Sequence, residues 1–260
     1  MKIIDVNLNN LDKEHICCAI SDKKGECQVS SKKAWLRDRF EDGLVFKKGD
    51  VRGKVFIEYI PAENAWCPID AEGYMFINCH WVSGKYKNQG IGSQLLEECI
   101  RDSKAKGKKG LVILSSNKKK PYLSDPKYLK NKGFLIADTA KPYFELLYLP
   151  FEENMSIPKF KDIVKENNEN NIEQNNINES GFALYYSNQC PFTSKYVSII
   201  ADYAKEKDLD FRLVRYKNKE QAQNSITPFT TYSLYYNNQF ITHEILNIDK
   251  FMAITQKFFV

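Results

Sequence analysis

Residues 82–100 read VSGKYKNQGIGSQLLEECI, a cationic polar loop in which Gly90 and Gly92 flank a single residue and which runs into an apolar helical pattern. The first turn of a helix carries unpaired backbone N–H groups and a partial positive charge, so such a loop is a place for an anion. Gly90 and Gly92 let the backbone approach that anion with no Cβ in the way, and Lys85 and Lys87 add formal charge. The chemistry points to a phosphate or a pyrophosphate. Two nucleotide loops are excluded by the residues themselves. Leu95 stands where GxGxxG needs its third glycine, and no Gly-Lys-Ser/Thr follows for a triphosphate loop.

A second set of residues has the types that proton transfer needs. Glu58 and His80 lie in β-type runs, 55-VFIEYI-60 and 74-YMFINCHWV-82, and Tyr122 and Tyr128 flank a short helical pattern. By alternation Asn78, His80 and Val82 share one face of their strand, with Cys79 and Trp81 on the other. In a chain with 15 tyrosines any single one is a packing residue by default, and a strand histidine is more often packed than reactive. A third candidate is Cys190, which precedes Pro191-Phe192-Thr193 and an amphipathic run on Tyr196, Val197, Ile200, Tyr203 and Ala204. At a helix N-terminus the thiolate is favoured, which predicts a lowered pKa and a reactive thiol.

The elements that must position these residues divide the chain. The 260 residues, 43% hydrophobic, suffice for one large domain or two small ones. Strands are predicted over 55–60, 74–82, 111–116, 134–138 and 143–149. One helix carries Leu95, Leu96, Cys99 and Ile100 and stops at Gly107; another is capped by Asp125, begins at Pro126 and ends before Gly133. Residues 151–180 are rich in Asn and Glu with isolated Ile, which predicts a linker, because such a segment buries too little apolar surface to offset its ordering entropy. After it the pattern restarts on a smaller scale: strands at 181–187 and 210–216, then a hairpin of 232–236 and 239–245 turning at Asn237-Asn238. The expected class is α/β (α+β).

The net charge of +5 is modest and gathers in no single basic stripe, so nucleic acid is not an expected partner. Seven cysteines (17, 18, 27, 67, 79, 99 and 190) form an odd set without a CxxC pair, which signals neither a metal site nor a disulfide framework. With no secretory pattern at the start and no apolar run of about 18 residues, the expectation is a reduced, soluble, cytoplasmic protein without a membrane partner.

Lys87-Asn88-Gln89-Gly90-Ile91-Gly92 resembles the [QR]xxGxG loop of the GNAT family of N-acetyltransferases, and the later strands and the capped helix follow that family's order over about residues 1–150. The phrases PYFELLYL, NQCPFTSKYV and ITPFTTYSLYYNNQFITHEIL extend the resemblance to members with a C-terminal YoaP-type domain. The resemblance implies a GNAT domain at 1–150 with a mixed sheet splayed where the cofactor enters, a linker at 151–180, and a thioredoxin-like domain at 181–260. It implies acetyl-CoA as cosubstrate, its pyrophosphate on Lys87, Asn88, Gln89, Gly90, Ile91, Gly92 and Ser93, and its pantetheine along the strand ending at Val82.

For catalysis it implies a tyrosine in the helix before Gly133-Phe134, where Leu129 stands; Tyr128 is one place earlier, about 100° round the helix. Tyr122 is the alternative acid, Tyr143 and Tyr148 are more remote ones, and Glu58 and His80 are the candidate bases. The thioredoxin likeness implies a cis-proline at Pro228, while Thr193 in place of a second cysteine excludes a dithiol reductase. Cys190 is then a relic in a lid or dimerisation module, with a homodimer as one arrangement, or a monothiol for thiols or a soft metal. The expected function is acetyl transfer to a small amine-bearing acceptor. The rival is a non-catalytic acyl-CoA sensor or a thiol- or metal-binding protein using Cys190.

Overall fold

The computed structural model describes residues 1–16, 18–166 and 180–258. Its N-terminal part comprises β1 (Ile3–Val6), α1 (Gln28–Phe40), β2 (Val45–Gly49), β3 (Val55–Pro61), β4 (Ile69–Asp70), β5 (Met75–Val82), α2 (Ile91–Ala105), β6 (Gly110–Ser116), α3 (Pro126–Asn131), β7 (Leu135–Ala140) and β8 (Phe144–Pro150). Seven of these strands form one mixed sheet in the order β1-β2-β3-β5-β6-β8-β7. Neighbours run antiparallel except β5 and β6, which run parallel and pair only at Met75–Ile77 against Leu111–Ile113. Beyond that point β5 stays on β3 and β6 stays on β8, and the sheet parts.

Both faces of the sheet are covered, which is why β3 reads as a nearly continuous apolar run. Val55, Ile57 and Tyr59 pack with α2 through Ile91, Leu95, Leu96 and Cys99. Phe56 and Ile60, on the other face, join Leu36 of α1 and a cluster that continues into the C-terminal part. That second cover was not legible in residues 1–54, because α1 (QVSSKKAWLRDRF) has no apolar stripe: its inward positions include Gln28 and Lys32. Its first turn is held by the Asp22 carboxylate, which accepts from Val29 N at 2.6 Å and Ser30 N at 3.0 Å.

The C-terminal part holds β9 (Lys159–Phe160), α4 (Asp162–Glu166), β10 (Phe182–Tyr186), α5 (Pro191–Glu206), β11 (Phe211–Arg215), α6 (Lys219–Gln223), β12 (Tyr232–Tyr236), β13 (Gln239–Thr242) and α7 (Ile248–Thr255). β10, β11, β12 and β13 form a four-stranded sheet in the order β11-β10-β12-β13. β10 and β11 are parallel and the other pairs antiparallel. The hairpin turns at Asn237 (φ 46°) and Asn238 (φ 62°), the two positive values that a two-residue turn between right-twisted strands requires. The expected cis-proline is absent: among the described residues the cis peptide is Lys141–Pro142, and Pro228 is trans.

The expected linker needs correction in its first half. β9 pairs with β4, Phe160 opposite Ile69, and Phe160 and Val164 are fully buried in the N-terminal core. Asp138 accepts from Phe160 N at 2.9 Å and pairs with Lys165 at 2.8 Å. A two-residue strand whose partner lies 90 residues earlier leaves no local pattern. The rest of the Asn/Glu-rich stretch, 167–179, lies outside the described residues.

Candidate active site

The loop of residues 83–90 bridges β5 and α2. Val82 closes the β3–β5 ladder opposite Val55, Ser83 N donates to Lys54 O at 3.0 Å, and Lys87 N donates to Gly84 O at 3.2 Å. Asn88 (φ 60°) and Gly90 (φ 74°) then turn through the left-handed region and α2 begins at Ile91. Gly90 caps the helix with no side chain, and the first helical bond is Gln94 N to Gly90 O, 3.0 Å. The N–H groups of Ile91, Gly92 and Ser93 therefore stand at the head of the helix with no intrahelical acceptor. Lys87 to Gly90 are exposed around them, and Gln89 folds its amide onto Lys85 O at 2.6 Å. The result is an open anion cradle beside the parting of the sheet.

Two side chains reach the back of this cradle. A Cβ built on Gly92 would lie 3.5 Å from the Tyr128 hydroxyl and 3.6 Å from His80 Nε2, and the two rings are 5.6 Å apart. Both atoms are buried and neither makes a well-formed hydrogen bond, although His80 leans on the Gly92 backbone and Tyr128 on the Ser93 hydroxyl. A buried orphan of this kind costs about 1–3 kcal/mol, so two together mark a place where something else supplies the bonds. Burial pulls the His80 imidazole down to about 4, so it is neutral at pH 7, and pushes the Tyr128 phenol up, so it keeps its proton. The expectation that Tyr128 points away is thereby corrected. Leu129 is the residue turned into the core, 1% exposed, and the phenol beside it faces Gly92.

Glu58 is buried on the opposite face of β3 and is not a free base. Lys32 Nζ of α1 donates to its Oε2 at 2.6 Å and Asn78 Nδ2 to its Oε1 at 3.0 Å. Both side chains of the Lys32–Glu58 pair are within 2% of full burial. The alternation expected for Asn78 fails because β5 carries a bulge where Glu58 pairs with Cys79 and Tyr59 with Ile77. The extra residue, Asn78, turns to Glu58 while His80 stays with α2.

Tyr122 is committed too. It sits at φ 63°, and its hydroxyl donates to Ile245 O of the C-terminal part at 3.3 Å. Tyr143 bonds His243, and Tyr148 packs edge-on against Tyr74 in the core. Lysines 104–109 lie at the far end of α2, roughly 20 Å from Gly90 at 1.5 Å per residue. Lys106 and Lys108 there pair with Asp102 and Glu63.

The sequence leaves the C-terminal domain as a lid or a dimerisation module, and no residue pattern shows where it docks. The C-terminal part docks on the face of the sheet that carries Glu58, and a half-open cavity of about 340 Å3 lies between them. Glu58, Asn78, His80 and Tyr122 line it from below, and Cys190-Pro191-Phe192 and Pro228–Thr231 close it from above. Side-chain hydrogen bonds to backbone carbonyls hold the two parts together: Thr230 Oγ1 donates to Trp66 O, and Gln223 Nε2 donates to Glu63 O at 3.0 Å and Ala65 O at 2.9 Å. Cys190 does head α5, but it lies under this interface. Burial outweighs the helix terminus and pushes its thiol up to about 12, opposite to the lowered pKa expected.

Comparison with known proteins follows the same division. The family model described as "Acetyltransferase (GNAT) family" matches residues 9–120, and one described as "YoaP-like" matches residues 210–252. A Bacillus subtilis (strain 168) protein called "Uncharacterized N-acetyltransferase YoaP" is 42% identical over 251 residues, covering 96% of this chain and 97% of that one. Among solved structures, the PaiA N-acetyltransferase of Thermoplasma acidophilum with coenzyme A is 16% identical, with a TM-score of 0.39 over 58% of this chain and 100% of that one. The Escherichia coli GNAT family protein YhbS with CoA is 15% identical, with a TM-score of 0.39 over 62% and 89%.

Proposed function

Since the chain belongs to the GNAT family of N-acetyltransferases, we propose that it moves the acetyl group of acetyl-CoA to the amine of a small acceptor held between the sheet and the C-terminal lid. One observation carries this reading. The Tyr128 hydroxyl and His80 Nε2, both buried and without a well-formed hydrogen bond, meet at Gly92 behind the open head of α2, and His80 also lines the cavity.

The residues present suit the cosubstrate. The N–H groups of Ile91, Gly92 and Ser93 and the exposed turn from Lys87 to Gly90 suit its pyrophosphate, and the strand ending at Val82 suits its pantetheine. Acetyl-CoA brings the activated thioester, and the protein has to align an amine with it, polarise its carbonyl and return a proton to the departing sulfur. Tyr128 is the residue for the last task, a phenol that burial keeps protonated. His80, neutral and fixed beside Gly92, orients the acyl end or accepts a proton through water. Glu58, closed into its pair with Lys32, shapes the acceptor side rather than taking the proton itself.

The C-terminal unit is read as thioredoxin-like. Its order β11-β10-β12-β13, with a helix headed by Cys190 between the parallel strands, supports that reading. In this chain it serves as the roof of the acceptor site, and the half-buried Cys190 is part of that roof. The test is release of free CoA from acetyl-CoA in the presence of amines, with Tyr128→Phe as control and calorimetry for cosubstrate binding. Binding without release for any amine would overturn the transfer reading.

A further inference from the structure

The cavity also restricts the chemistry of the acceptor, on the premise that it is the acceptor site. Aromatic rings are set into its wall from both sides: Phe56, Trp66, Phe76, Trp81 and Tyr122 come from the N-terminal part, and Phe192 and Phe229 from the C-terminal part. Phe56, Trp66 and Phe76 are at most 5% exposed. Three charged residues line it, and none has a free charge to offer. Lys32 and Glu58 neutralise each other across 2.6 Å, and Glu244 is held by Lys250. At about 340 Å3 the space lies at the low end of small-molecule sites, which span about 300–1,000 Å3.

We infer that the acceptor is a monoamine carrying an aromatic ring. A polyamine or an aminoglycoside would bring two or more ammonium groups into a wall with no unpaired carboxylate, at a cost of several kcal/mol per unpaired ion. An amino acid would bring a carboxylate to a site whose one buried cation, Lys32, is already taken. A single aromatic ring instead gains roughly 0.5–1.5 kcal/mol for each well-placed ring partner. The same apolar wall disfavours the ammonium form, so a lone amine enters as the free base with its proton left in bulk water. It attacks the thioester carbonyl, the C–S bond breaks, the sulfur takes a proton from Tyr128, and the N–H proton released by the new amide restores the phenol. Entry as the free base replaces the base which Glu58, with both oxygens occupied, does not provide.

The test uses the full chain with acetyl-CoA and five amines: 2-phenylethylamine, aniline, ethylamine, spermidine and glutamate. The expected result is a kcat/KM for 2-phenylethylamine at least about tenfold above that for ethylamine, with spermidine and glutamate near background. Phe192→Leu, which keeps apolar volume but removes the ring, should lower the kcat/KM preference for 2-phenylethylamine over ethylamine about fivefold. Its melting curve and acetyl-CoA affinity, matched to the parent, show that the fold is intact. Preference for spermidine or glutamate, or an equal effect of Phe192→Leu on both monoamines, overturns the inference and leaves acetyl transfer standing. No CoA release with any of the five, acetyl-CoA still binding, overturns both.

Discussion

The Tyr143 hydroxyl lies 2.6 Å from His243 Nδ1, and this hydrogen bond joins the two parts of the chain. The other ring nitrogen, Nε2, is 2.9 Å from Pro121 O, and a carbonyl only accepts, so Nε2 carries the proton and Nδ1 accepts from Tyr143. The imidazole is 2% exposed and has Tyr143, Phe144 and Phe229 edge-on around it. A neutral ring is thus a structural part of the docking that encloses the cavity.

Acid should loosen that docking. Burial holds His243 at about 4 against an ordinary 6.5, so between those values the unfolded chain takes a proton that the folded one refuses. Its contribution is whole above pH 6.5, declines as pH falls towards 4 and is lost below, amounting to about 3 kcal/mol. His80, also lowered to about 4, adds in the same direction. Urea midpoints at pH 7, 6 and 5 should fall steadily. The gap between the parent and His243→Gln should narrow towards acid, and a constant gap would remove His243 from the account.

Tyr128→Phe should lower kcat about a hundredfold with the KM for acetyl-CoA unchanged, as loss of a general acid does. Tyr122→Phe, which loses only a bond to Ile245 O, should change kcat less than about threefold. Steady-state kinetics of the pair decides which phenol is the acid. Equal losses would return the assignment to both.

The Lys32–Glu58 pair should be worth little as a pair and much to break. Lys32→Met or Glu58→Gln alone leaves an uncompensated buried group, a cost of about 3–5 kcal/mol for the stranded charge. Lys32→Met with Glu58→Leu should recover most of that loss, because two apolar chains of similar volume need no partner. Chemical denaturation of the three variants measures it. Additive losses in the double variant would contradict the pairing.

Gly90 and Gly92 should separate fold from binding. Gly90→Ala places a Cβ on a left-handed residue at φ 74° and should cost about 1–2 kcal/mol in stability. Gly92→Ala meets only ordinary contacts at 3.5–3.7 Å and should leave stability alone. Its methyl would intrude between the cradle and the Tyr128 hydroxyl, so acetyl-CoA binding should weaken about tenfold. Melting curves and calorimetry on both variants check the split.

Cys190 should be slow towards thiol reagents at pH 7.5, as its thiol is pushed up to about 12, while the exposed Cys27 reacts quickly. Site-resolved mass spectrometry after brief alkylation distinguishes them. Modification of Cys190 at the pace of Cys27 would mean that the lid opens freely.

Much of this protein is decided by local pattern, and local pattern is legible in residues alone. The turn Lys87-Asn88-Gln89-Gly90 needs left-handed backbone at the last position, only glycine takes that at no cost, and an apolar 3.6-residue repeat follows, so an open helix head was readable from spacing. Five strands of the central sheet and the Asn237-Asn238 hairpin were readable for the same reason, while the outer strands β1 and β2 were not. What depends on contacts between distant segments was not. The way Tyr128 faces depends on how α3 is seated when Leu129 enters the core, and one bulge in β5 decides that Asn78 serves Glu58 while His80 serves α2. Lys32 became the partner of Glu58 only because the chain folds α1 across β3, a position its polar sequence conceals. The roof over the cavity is the furthest from view. Cys190 at a helix head reads as reactive when the helix is considered alone, and only docking through Tyr143, His243 and Thr230 buries it, since desolvation is a property of the assembled surface and not of any one segment.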